Sequence, residues 1–589
     1  MSFSPVWQLQ EFFPHPSTTE FATVVADWRG RWERLADESE TLSATADGWA
    51  EFLARWSALL AESDELMAFV SCHAAADAEN KTYQHWEGVL LAASPVRTRV
   101  TVNVEFGLRG DQSTDPVAEL ITRDPTLERV RFALDEAARN AAFRLPKSEE
   151  LLAADLAVDG IQAWSRLYDR VSGSLKIELL ENGKLVKKSP GQVHFDSPDR
   201  SIRQTNFAAA GTAWQTLADT CADAINHISG FRQSKNRRTG HHHLDLPLRM
   251  NRMRRETLDT MWRVVSERKG VLLKYLARKA ELLGLKKLTW TDLHAPLPGT
   301  PAQSAELSYD AACQLILSTF SQFSPELGQF AETALREGWV EVENRPGKRQ
   351  GGFCTGFPVR KQSRIFMTFT GTPDSMSTLA HELGHAYHSY VLRNEPFLLQ
   401  DYPMNLAETA STFCEAVLSA ERLRMAQNPA EKRAVLDGML ADAVTFLMNI
   451  HARFVFEDRF HQEREAGEVS AERLSQLMHT AQQETYLNGL ADDGWYPGFW
   501  ISKLHFYIHQ WPFYNFPYTF GYLLSQGVYA LAPKFGDEFP ARYRSLLIAT
   551  GCQQTEAAVS TALGYDLSQP DFWNHSLDVI DCNVAAFLQ

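Results

Sequence analysis

At 589 residues the chain is longer than one hydrophobic core usually organises, so three to four units or two large helical lobes are expected. With 44% apolar and 22% charged residues it is neither disordered, nor collagen-like, nor a disulfide scaffold. Against 73 Asp and Glu stand 58 Lys and Arg, a formal charge of −15 that repels phosphate backbones and argues against nucleic-acid binding; no stretch approaches the roughly 18 uninterrupted apolar residues of a membrane span.

In chain order, Ser17 to Arg144 reads as long amphipathic helices with few Gly or Pro, for example Asp64 to Leu91, where Leu66, Phe69, Val70, His73 and Ala74 recur at helical spacing. The period then changes. Ser174 to Leu180 alternates, Asn182-Gly183 follows, and Leu185 resumes extension, the pattern of a hairpin. Helix returns after Ser197-Pro198-Asp199, which places a boundary near residues 190–205 and divides the chain into an N-terminal lobe, 1–195, and a second unit, 196–589. The proline-rich stretch His294–Pro301 is a loop. Helices are expected over about 305–323 and 325–337, then short strands at Trp339–Val342, after Gly351-Gly352 and over Ile365–Thr370. In the last strand Ile365, Met367 and Phe369 point one way and Phe366, Thr368 and Thr370 the other. From Thr372 onward the chain is mostly helix.

Seven cysteines, an odd number without a Cys-x-x-Cys pair, fit a reducing compartment. The first residues show no basic and apolar leader pattern, and a cytoplasmic protein is expected. No Gly-rich phosphate loop occurs. The run His241-His242-His243 reads as a surface or inter-helix loop, with adventitious metal binding as the alternative.

The sharpest chemical signal is His381-Glu382-Leu383-Gly384-His385, just after a helix start at Thr372-Pro373-Asp374. Residues i and i+4 of a helix differ by about 40° in azimuth, so the two imidazoles face one way and can share a tetrahedral Zn²⁺. Glu382, beside them, can reach a water as general base. The third ligand is expected from Glu408, 23 residues after His385, on a second helix reached through Pro396 and Pro403. Glu415, two turns beyond Glu408, would orient a histidine N–H instead. Asp374 is read as a helix N-terminal charge, and His388 as packed or supporting. Two histidines and one carboxylate leave a coordination position open, the arrangement of a catalytic rather than a structural ion. Tyrosines and histidines between His505 and Tyr522 offer donors for a developing oxyanion; alternatively that aromatic run is core or cleft wall.

These residues resemble the oligoendopeptidase F and thimet oligopeptidase group of zinc metallopeptidases, in particular the oligoendopeptidase F branch. The resemblance rests on Gly351-Gly352-Phe353-Cys354-Thr355, Ile365 to Gly371, Thr378 to His388, Glu408-x-x-Ser411-x-x-x-Glu415, and Phe513-Tyr514-x-x-x-Tyr518-x-x-Gly521, in that order over about residues 350–525. It implies a mainly α, two-lobed body with a deep channel and a small β-sheet at the zinc site. It implies one Zn²⁺ per chain on His381, His385 and Glu408, and short oligopeptides as substrates, cleaved internally. By the same resemblance Tyr514 and Tyr518 would stabilise the oxyanion and fix the substrate. His505 and His509 compete for the family's substrate-binding histidine; His505 is preferred for its His-Phe-Tyr context. Two further readings stay open: a zinc carboxypeptidase or dipeptidase on a similar fold, and a non-catalytic helical peptide-binding protein.

Overall fold

The structure is a computed structural model that describes residues 3–43, 47–110, 115–181, 183–299, 307–349 and 351–589. It is mainly α, with two small sheets. The first part of the chain folds as helices Thr19–Ser39, Trp49–Ala76, Lys81–Leu91 and Ser94–Gly107, followed by shorter ones to Ser174. Their apolar faces meet around Trp28, Trp32, Trp49, Phe52 and Phe69. The two indole N–H groups of Trp28 and Trp32 are satisfied by one buried hydroxyl, Ser63 Oγ, at 2.8 and 3.0 Å.

The apolar run expected from Asp64 to Leu91 is two helices rather than one. The first ends at Ala76, and Asn80 caps the second by accepting the Thr82 N–H at 3.0 Å. A side chain that offers the backbone a local partner stops a helix that periodicity alone would continue.

The expected hairpin is present as β1 (Ile177–Glu181) and β2 (Lys184–Lys188), antiparallel with Glu181 opposite Lys184. Gly183 has φ +75°, and Asn182 lies outside the described residues. Asp199 caps the next helix, Arg200–Gln215, and further on helices Tyr309–Phe323 and Pro325–Arg336 follow their expected ranges. The expected helix start near 305 and the end of the His294–Pro301 loop fall outside the described residues.

The second sheet positions the site. Its strands are β3 (Val340–Glu341), β4 (Phe353–Phe357) and β5 (Gln362–Phe366), in the order β3-β5-β4, with β5 parallel to β3 and antiparallel to β4. β5 begins and ends earlier than Ile365–Thr370, because β4 faces only Gln362–Phe366. The one-sided ladder to β3 nevertheless continues: Met367 N–H reaches Glu341 O and Phe369 N–H reaches Val342 O. The expected alternation holds. Ile365 and Met367 enter the large core of the later helices, whereas Phe366 enters the N-terminal core. The sheet thus stands between two cores, and the chain start is tied to its edge by Val342 N–H to Pro5 O and Gln8 N–H to Gly338 O.

Beyond the sheet the chain is helical to its end, interrupted between Thr485 and Phe516 by turns and one-turn helices. The run Pro429–Arg464 has the length and composition of a membrane-spanning helix, yet over half of its most apolar 18-residue window is buried inside the protein, as in a core helix.

Candidate metal centre and active site

Helix Pro373–Leu392 carries the His-Glu-x-x-His motif. Thr372 caps it, accepting the Ser375 N–H at 3.1 Å, and Pro373 and Asp374 fill its first turn. The second helix, Met404–Met425, crosses it at Gly384. A Cβ at Gly384 would lie 2.5 Å from Ala410 O and 2.6 Å from Ser411 Cα, so only glycine lets the two backbones touch here. A third helix, Phe516–Phe535, approaches the second at Gly521, where a Cβ would lie 2.8 Å from Glu408 Cβ. Glu408 is thereby held between the two neighbours.

The donor atoms meet. His381 Nε2 and His385 Nε2 are 3.2 Å apart, and Glu408 Oε2 lies 3.4 and 3.6 Å from them. Bonds of about 2.0–2.1 Å to a tetrahedral cation place its ligands roughly 3.3 Å from one another, so this triangle fits such an ion. The donor chemistry agrees, because two imidazoles and one carboxylate are ligands of a borderline divalent ion. Among the described residues this is the one cluster of at least three such side chains compact enough to hold a metal.

The far sides of the ligands are also engaged. Glu415 Oε1 accepts from His381 Nδ1, and Ser377 Oγ donates to Glu415 Oε2 at 3.4 Å. His385 hydrogen-bonds the backbone carbonyl of Ala407, and Ser411 Oγ donates to Glu408 Oε2 at 2.6 Å. Burial works against the charged form of His381, but the hydrogen bond and charge of Glu415, aided by Glu408, outweigh it and hold the ring at about 9. For His385 burial leads and brings it to about 4.

Glu382 lies beside the triangle, only 6% exposed, and its Oε2 has no hydrogen-bond partner among the described residues. Burial raises its carboxyl to about 7, with His381 opposing and Glu408 and Glu415 adding to the shift. Gly352, at the start of β4, makes room for it: a Cβ there would lie 3.2 Å from Glu382 Oε1. An unpartnered carboxylate oxygen next to three convergent donors is what a metal site with a general base requires.

Of the expected tyrosine segment Tyr518 reaches the same place, while Tyr514 and His505 stand behind it and do not line the site's cavity. Tyr518, in the first turn of its helix, lines a cavity of about 650 Å³ together with His381, Glu382, His385 and Glu408. Pro517 sits in that first turn, where it starts the helix rather than bending it. Tyr514 hydrogen-bonds Tyr518, and the two rings are 5.7 Å apart. His505 is 4.8 Å from the Tyr514 ring and 5.8 Å from that of Tyr518, whereas His509 lines a different, larger cleft.

Buried side chains hold this irregular stretch. Asn515 Oδ1 lies 2.8 Å from His505 Nδ1 and accepts from Arg453 at 3.1 Å. Glu457 accepts the N–H of Phe513, whose φ is +53°, and Arg232 donates to the carbonyls of Ile508 and His509.

The sequence matches the model of peptidase family M3 over residues 193–579. The chain belongs to this family. A second model, described as oligopeptidase F, matches residues 112–177. Oligopeptidase PepF of Bacillus subtilis is 23% identical over 584 residues, covering 96% of this chain and 84% of that protein. An oligoendopeptidase F homolog of Lactococcus lactis is 23% identical over 451 residues, 75% of this chain and 74% of its own. In fold, the chain is similar to oligoendopeptidase-F from Enterococcus faecium, with a TM-score of 0.71, 19% identity and coverage of 97% and 98%. It is likewise similar to PZ peptidase A solved with an inhibitor, with a TM-score of 0.75, 17% identity and coverage of 98% and 99%.

This M3 peptidase is therefore a metalloprotease. Its metal cavity adjoins a cleft of about 1210 Å³ through Gly356, Ser389 and Tyr402, which line both, so the site lies along a channel. Two other histidines singled out in the sequence are packed into the structure. His388 is fully buried, 2.9 Å from Thr550 Oγ1 and stacked on Tyr402. In the inter-helix loop 241–243, His243 is buried against Asp458 at 2.7 Å. Sequence reasoning missed Asn515, Arg453 and Glu457, whose partners are distant in the chain; the left-handed Phe513 leaves no sequence signal.

Proposed function

We propose that this M3 peptidase is an endopeptidase of short oligopeptides that holds one Zn²⁺ per chain on His381, His385 and Glu408. The observation that carries the reading is that the donor triangle and Glu382, whose Oε2 has no partner among the described residues, line one cavity. When bound, the ion supplies Lewis acidity and makes water a nucleophile near neutral pH.

Each residue's part follows from its surroundings. Glu415 keeps one His381 proton on Nδ1, so that when the other leaves on binding an ion the Nε2 lone pair would face it. Glu382 takes a proton from the attacking water on Oε2 and delivers it to the leaving amine. The hydroxyls of Tyr518 and Tyr514 donate to the carbonyl oxygen as it gains charge. His505, pinned by Asn515, binds the substrate alongside them.

The channel supports an endopeptidase over a carboxypeptidase or dipeptidase, since the peptide has room to continue past the ligands. Glu382, buried without a partner, speaks against a non-catalytic binding protein. The division into lobes 1–195 and 196–589 is supported by the start of the family match at residue 193 and by the N-terminal core around Trp28, while the cores around Tyr168 and Ile177 draw residues from both sides of that boundary. Seven free cysteines support a cytoplasmic setting.

The test is Glu382→Gln, assayed on blocked-end peptides with zinc content measured in parallel. The variant keeps its zinc and loses roughly two orders of magnitude or more in turnover. Native turnover in a zinc-loaded variant contradicts the reading.

A further inference from the structure

Among the described residues four carboxylates line the metal cavity, Glu382, Glu408, Glu415 and Asp442, and no lysine or arginine does. Three of them have work in the site described above. Asp442 has none, and among the described residues its side chain makes neither a hydrogen bond nor an ion pair. Its side chain is open to the cavity, so it is accessible to whatever enters.

Its position is built by the backbone. Asp442 lies near the end of helix Pro429–Val444, just before the π-helical turn Thr445–Asn449. That turn lays Phe446 flat against Tyr522, with ring centroids 4.5 Å apart at 15°. The hydroxyl of Thr519 fixes the turn by donating to Phe446 O at 2.6 Å. Tyr522 is one helical turn beyond Tyr518, so one helix carries both the donor facing the metal ligands and the aromatic wall beside Asp442. Met439, Gln526 and Asn583 line the same cavity.

The surroundings of Asp442 offer its charge no compensation. Although the side chain is exposed to the cavity, desolvation by the protein packed around it raises its carboxyl to about 7, and Glu415 and Asp374 push it the same way. A cation delivered by the substrate would find an acceptor with no competing partner, in a place where such a pair is stronger than in water. The aromatic and thioether wall suits the apolar stem of a long side chain with a charged tip.

We propose that Asp442 is a specificity-determining residue which, with Phe446 and Tyr522, forms a subsite for a lysine or arginine side chain of the peptide substrate. This rests on the peptidase reading of the same cavity, and the experiment separates the two. Matched blocked peptides differ at one position, arginine against citrulline and lysine against norleucine, and that position is scanned along the peptide. The native enzyme prefers the cationic member at one position by about tenfold to a hundredfold in kcat/KM, the range of a hydrogen bond to a charged group. Asp442→Asn brings that ratio close to one and keeps the rate on the citrulline peptide. Equal rates at every position in the native enzyme, or a preference that survives in Asp442→Asn, overturn the proposal. Binding of the same pairs to Glu382→Gln, with and without Asp442→Asn, reads the subsite without turnover. Tighter binding of the arginine peptide, lost in the double variant, supports the subsite even if the assigned general base is wrong; equal affinities overturn it.

Discussion

His381, His385 and Glu408 reach their common point from within two helices, whereas His505, Tyr514 and Tyr518 come from a stretch whose regular structure amounts to one 3-10 turn and the first turn of a helix. In the first region the backbone sets the spacing, and glycine at 384 sets the distance between helices. In the second the spacing depends on side chains, with Asn515, Arg453 and Glu457 spanning gaps the backbone leaves unfixed. A metal site needs donors placed to within a fraction of an ångström, and helices supply that cheaply. A segment proposed to grip substrate would have to fit many peptides, and this one is held by a network that can be loosened one bond at a time.

That contrast can be broken or sharpened by mutation. The largest effect is expected from Tyr518→Phe. It removes one oxyanion donor and lowers turnover about 10²–10³-fold, while zinc content stays at one per chain; loss of zinc in this variant would join the two regions that the account keeps apart. Next comes Glu415→Gln, which weakens the orientation of His381 and is expected to cost about 10–100-fold in zinc affinity or activity, read by competition with a chelator. An unchanged affinity would show that the helix alone orients the ring. The smallest effect is Asn515→Ala. It frees His505, and KM on peptides rises several-fold, roughly what one hydrogen bond of about 1 kcal/mol allows. Zinc content and folding stay native. A change in zinc affinity here would contradict the separation.

The first region was legible in the sequence and the second only in part, for a physical reason. His381, His385, Glu408 and Glu415 stand at separations of four and seven, multiples of the helical period, so faces can be assigned without knowing the fold. The approach of Ala410 to Gly384 is not encoded in that period; it depends on how two helices cross. Arg453 meets Asn515 across 62 residues and Glu457 meets Phe513 across 56, pairings that no local pattern announces. The choice of His505 over His509 rested on sequence context, and the rings of Tyr514 and Tyr518 do lie beside His505. Asp442 gave no signal at all, being one acid among many on helical surfaces until the cavity placed it beside the metal ligands. In the scaffold, periodicity located the helices but not the stop at Asn80, where a single capping side chain decides.

The most direct test of the central claim is anomalous diffraction at the zinc absorption edge from crystals of the zinc-loaded protein. The account requires one strong peak per chain, bonded to His381 Nε2, His385 Nε2 and Glu408 Oε2. A peak coordinated elsewhere, with this triangle empty while the enzyme still cleaves peptides, would contradict it.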